Sequence, residues 1–182
     1  MEAMVVDLPD PVLRTADFEG LKTRIVPVPL HKAIWEAIGT APVGLPYGEV
    51  YGALETKVID AVEINVSSML GENLWEVGKN FTLTGHYPWH NVTVVNKAFF
   101  DGLPTEIQQA MRQAGLDSIG PTLDYTKAQD FNGRDELRAK GVEILELEDL
   151  DVMKAKVAPL VTEWSGKSPL IKEFVDLAQS ES

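Results

Sequence analysis

Apolar residues along this chain recur in two rhythms, and the switches between them outline the elements. Steps of three and four predict helices. They run over 31–38 (Ile34, Trp35, Ile38), 50–54 (Val50, Ala53, Leu54) and 66–81 (Met69, Leu70, Leu74, Val77, Phe81). A further helix starts near Thr105 with Ile107, Met111 and Ala114 as its stripe, and Gly115, Gly120 and Pro121 must bend or break it. A charged helix follows over 123–140, and two closing helices cover 149–164 and 168–179. Alternation or β-forming composition predicts strands at 22–26, from Val58 onward, within 82–95, and at 142–147. Residues 1–17 alternate loosely, but Pro9 and Pro11 argue for an edge strand or an extended connector.

The stretch from Leu45 to Asn65 organises the rest. A Pro46-Tyr47-Gly48 corner leads into a short helix, then into a compact apolar segment that ends in the polar cluster Asp60, Glu63, Asn65. Open α/β sheets place ligands at the carboxyl ends of such strands. Asp60 and Glu63 invite reading as an acid–base pair, although carboxylates there more often accept hydrogen bonds from a nearby turn. On pattern alone Arg24 is a surface arginine alternating outward, and Tyr47 is as readily a corner aromatic as a ligand platform. Trp35 reads as core and His31 as surface. His86 and His90 have metal-ligand spacing for a helix, but Pro88 and the surrounding strand composition forbid the helix, so no metal site is expected.

Composition narrows the partners. With 182 residues, 45% hydrophobic and 24% charged, the chain can build one ordinary core. A net charge of -12 argues against nucleic acid and anionic membranes as partners. Zero cysteines removes disulfides, thiolate metal sites and cysteine nucleophiles. The start MEAMVVDLPDPVLR lacks the basic and apolar regions of a signal peptide. No internal repeat, phosphate loop or nucleophile motif appears.

The run PYGEVYGALETKVIDAVE resembles the signature of solute-binding proteins of tripartite ATP-independent periplasmic (TRAP) transporters, the DctP-type receptors for organic acids. Gly20-Leu21-Lys22-Thr23-Arg24 is similar to the family's G-x-K-x-R strand. Trp75-Glu76-Val77, Leu83-Thr84-Gly85-His86, Asn96-Lys97 and Leu103-Pro104 follow in family order. The resemblance implies an α/β fold of periplasmic-binding-protein type, a mixed sheet flanked by helices, comprising mainly the second lobe of a two-lobed receptor. Residues 1–89 would be the first segment of the ligand-binding lobe. Residues 90–128 would be a strand and helix of the other, largely missing lobe, and 129–182 the return with the C-terminal helices.

It further implies an extracytoplasmic receptor, not an enzyme, that captures a carboxylate without a cofactor and delivers it to TRAP permease subunits in the membrane. The alternative is a truncated receptor without ligand binding, or a re-purposed interaction module. Arg24 takes the place of the residue that clamps the ligand carboxylate, Tyr47 that of the aromatic packed on the ligand, and Glu63 belongs to the same block. Some keto-acid members use a bound metal ion, and its place here would be beside Glu63. Two positions depart from the pattern: Ile64 and Pro27 stand where polar contacts, usually asparagine, occur. Those departures predict a smaller or more apolar acid than a sugar acid. Trp89 lies where the chain would cross between lobes and would line the cleft. Standing alone, the 182 residues are expected to associate as homo-oligomers or to be partly unfolded in the middle.

Overall fold

Among the described residues, five of six strands run in one direction because helices carry the chain back between most of them. The computed structural model describes the backbone of residues 2–6 and, with side chains, residues 10–86 and 92–180. β2 (Lys22–Ile25), helix α1 (Pro29–Ile38) and β3 (Ala41–Gly44) form a parallel β-α-β unit. Gly39 ends α1 at φ 119°, a left-handed cap that a side chain would strain. A 3-10 turn (Tyr47–Glu49) and helix α2 (Val50–Glu55) then lead to β4 (Ala61–Asn65), which lies parallel to β2 on its other side.

The sheet order is β3-β2-β4-β1-β5-β6, with β1 (Glu2–Val6), β5 (Asn80–Leu83) and β6 (Glu143–Glu146). β1 is the one antiparallel strand, paired on both sides, with Met4 opposite Glu63 in β4 and Thr82 in β5. This corrects the expectation of an edge strand or connector. β1 ends at Val6, before either proline in the sequence, so neither falls within the strand.

The predicted helix over 66–81 is shorter. Helix α3 (Val66–Gly71) stops at Gly71, Asn73 takes a left-handed conformation at φ 54°, and Leu74–Glu76 is a 3-10 turn before β5. Leu74 and Phe81 match helical spacing because both are buried in one core, though they reach it from a turn and a strand. Among the described residues, only the end of β5 falls in the strand expected within 82–95, and residues 84–86 and 92–96 form no regular element.

Helices α4 (Lys97–Asp101), α5 (Thr105–Asp117) and α6 (Ile119–Ala139) follow. The break falls at Ser118, and Pro121 sits harmlessly in the first turn of α6. Gly133 lets α6 seat against α3, since a Cβ there would stand 2.6 Å from a Val66 methyl. Helices α7 (Leu150–Ser165) and α8 (Pro169–Ser180) close the chain. Thr15 anchors the start of α7, donating from N and Oγ1 to Asp149 Oδ1 at 2.7 and 2.8 Å.

Alternation along β4 sends Val62 and Ile64 to one core, with Leu54, Met69, Phe81 and Leu137, and Ala61 to the other, with Phe18, Ile25, Trp35 and Met153. Both faces of the sheet are therefore covered, and the strand ends are left to form a site.

Candidate functional site

The carboxyl ends of β3, β2 and β4 open onto a cleft of about 560 Å³, where such sheets commonly take ligands. Arg24, Pro27, Tyr47, Glu63 and Ile64 all line it, joined by Asn65, Ser67 and Ser68 from the start of α3. Trp89 and His90 lie outside the described residues. Asp60 is at the opposite end of β4, where its carboxylate accepts from the Lys22 backbone N–H at 2.9 Å. Asp60 and Glu63 therefore form no acid–base pair.

Arg24 is buried, not the surface residue its pattern suggests, because β2 is flanked on both sides. Its Nε donates to the Leu45 carbonyl at 3.1 Å, which fixes the guanidinium plane. The Tyr47 ring stands 5.9 Å from its Cζ, within cation–π range. Burial raises the pKa of Tyr47, with Glu72 acting in the same direction, so its hydroxyl stays protonated. Asn65 turns inward on the chain: its Oδ1 accepts from the Ser68 N–H at 2.8 Å and the Ser67 hydroxyl at 2.9 Å, capping α3.

Glu63 is buried between two imidazoles. His86 Nε2 lies 3.6 Å from its Oε1 and His31 Nδ1 lies 3.7 Å from its Oε2. The Thr84 hydroxyl is 2.6 Å from His86 Nδ1, and the Trp35 ring meets His86 edge-on at 5.1 Å. The reading of His31 as a surface residue is thus corrected: the first turn of α1 packs over the end of β4, a contact that helical spacing alone does not reveal. Ser67 and Ser68 were also missed, and the Asn65 cap before them was their only signal. Among the described residues no set of three or more metal-ligating side chains is placed to hold an ion.

Burial lowers the His31 pKa below its ordinary value near 6.5; His86 and Arg24 push the same way and Glu63 opposes. The unfolded chain therefore takes up this proton before the folded chain does. Stability contributed by neutral His31 is present above the ordinary value and lost as pH falls through the folded pKa. Urea midpoints measured from about pH 7.5 down to about pH 5.5 should fall, and His31→Gln should remove part of that slope. An identical slope in the variant would refute the assignment.

The sequence profile of the DctP family, bacterial extracellular solute-binding protein family 7, matches residues 7–167. The ectoine-binding periplasmic protein TeaA of Halomonas elongata is 31% identical over 141 residues, covering 78% of this chain and 41% of that protein. The 2,3-diketo-L-gulonate-binding periplasmic protein YiaO of Escherichia coli K12 is 34% identical over 141 residues, covering 78% and 42%. Among solved structures, the Halomonas elongata ectoine-binding protein superposes with a TM-score of 0.88 at 26% identity, covering 96% of this chain and 58% of that one. The Chromohalobacter salexigens TRAP solute-binding protein with bound D-glucuronate gives 0.87 at 26%, covering 100% and 60%. The chain thus spans well under two thirds of these relatives. A profile match over most of its length, with the same fold behind it, places the chain in the DctP family of TRAP-type solute-binding proteins.

Proposed function

We propose that the cleft binds an organic acid, and that the chain serves as the acid-anchoring lobe of a periplasmic receptor feeding TRAP permease subunits. The observation that carries this is Arg24, a buried guanidinium with a fixed plane at the mouth of parallel strands, beside an aromatic ring. A planar guanidinium matches a carboxylate with two parallel hydrogen bonds. Ectoine, 2,3-diketo-L-gulonate and D-glucuronate, the compounds named for the relatives above, all carry a carboxylate. Such a receptor performs no reaction, and its binding is non-covalent. Closure against a second lobe completes the enclosure.

Ile64 and Pro27 set the ligand class. A hydroxyl held against either is left without a partner, at about 1–3 kcal/mol if buried. The cleft therefore favours simple mono- or dicarboxylates, or an aromatic acid on Tyr47, with any polar tail directed to Ser67 and Ser68. Competition between succinate and D-glucuronate should rank succinate tighter, and Ile64→Asn should narrow or reverse the gap. Tightest binding of the uronate by the unaltered chain, with no change in the variant, would show that these two positions do not select.

We assign residues 90–128 to the other lobe. Ile107 and Met111 of α5 are 47% and 38% exposed, as a face awaiting a partner would be. Alone, the chain should scatter light as a dimer or larger species, or exchange amides readily over 105–114. A monomer with that helix fully protected would defeat this assignment.

A further inference from the structure

Behind the cleft lies a second cavity of about 510 Å³, wedged between α1, α7 and α8. Its size is in the range of about 300–1,000 Å³ typical of small-molecule sites. Side chains such as Ile34, Met153, Val157 and Phe174 make most of its wall apolar, so an alkyl or aryl body gains by entering. Among the described residues lining it, the ionisable ones are His31, His86 and Lys154. Both imidazoles already lie against Glu63 and burial disfavours charge on His31, so Lys154 carries the preference for an anion, and no carboxylate is among the described lining residues. Lys154 sits at the rim, with its side chain 68% exposed. Its partner Asp151 is 3.9 Å away and fully exposed, a weak surface pair that leaves the ammonium able to turn to another anion.

We infer that this cavity is a second ligand site, for a small amphipathic acid whose apolar body lies between the three helices and whose carboxylate meets Lys154. An alcohol lacks the charge that the basic rim complements, and an amine is repelled by it. Two imidazoles form the inner wall, and the carboxylate they flank, Glu63, lines the cleft. The two sites are therefore distinct but share a partition.

The probe is octanoate, titrated into the 182-residue chain and followed by tryptophan fluorescence and calorimetry, beside 1-octanol and octylamine. Saturable binding of octanoate, tighter than of octylamine, is expected. Val161→Trp, which fills the cavity from a half-exposed position on α7, should weaken it at least about tenfold while far-UV circular dichroism stays unchanged. Lys154→Met, a surface change that folding tolerates, should cost octanoate about three- to fivefold and leave octanol unaffected. Saturating succinate, which occupies the cleft, and Arg24→Ala, which disables it, should each leave one octanoate site of unchanged affinity, so a failure of the cleft reading cannot be mistaken for a failure of this one. Absence of saturable binding, indifference to Val161→Trp, or complete loss with Arg24→Ala would each overturn the assignment. So would a dimer that Val161→Trp dissociates, because a second copy of the chain would then be the occupant.

Discussion

Replacing Arg24 by alanine should weaken binding of a carboxylate such as succinate by about ten- to a hundredfold. A hydrogen bond to a charged group contributes about 1.5–3 kcal/mol net, and every 1.4 kcal/mol is a factor of ten. The loss should lie toward the upper end because Arg24 is only 5% exposed, where water cannot take over its role. Arg24→Lys should recover part of the affinity, since the charge returns but the planar fork and the Nε bond to Leu45 do not. A single open lobe binds weakly, so NMR titration is the suitable measurement. Shifts at Arg24, Tyr47 and Ile64 are expected on adding succinate, and they should vanish in the alanine variant. Equal affinity in all three proteins would remove the anchor from the proposal.

The residues that line the cleft were brought forward by the resemblance to TRAP receptors and not by local pattern, which made Arg24 a surface residue and left Tyr47 undecided. Arg24, Pro27, Tyr47, Glu63 and Ile64 come from three short segments, the ends of β2 and β4 and the corner after β3, which parallel pairing of β2 with both neighbours brings side by side. His31 was not legible. Its contact with Glu63 depends on how the first turn of α1 crosses the sheet, and helical periodicity reports only which face is apolar. The central placement of β1 was hidden for a related reason: prolines constrain the residues they occupy, not the strand that precedes them. The helix read through 66–81 failed where Asn73 adopts a positive φ, since one shared core can draw apolar residues from a helix, a turn and a strand at nearly helical spacing. By contrast α5, α6 and β6 were foreseeable from contiguous periodic sequence, although the break between the two helices falls at Ser118 and not at Gly115, Gly120 or Pro121.

The largest stability loss should come from Trp35→Ala. Trp35 has no exposed surface and holds the core beneath α1, edge-on to Phe18 at 5.9 Å and to His86 at 5.1 Å. Truncating a buried tryptophan costs about 3–5 kcal/mol, the transfer of the ring plus the void it leaves. Total stability of a domain is only about 5–15 kcal/mol, so the variant should unfold at a much lower urea concentration. Trp35→Phe keeps an aromatic of smaller volume and should lose markedly less. The ring is also one of the supports that hold His86 against Glu63, so the alanine variant should disturb the partition between cleft and cavity as well as the core. Amide exchange read at Thr84, Gly85 and His86 separates these effects: local loosening there in Trp35→Phe, at nearly native stability, would mean that the indole positions the imidazole. If the alanine variant instead keeps its urea midpoint, the core beneath α1 does not rest on this side chain, and the packing account of that face is wrong.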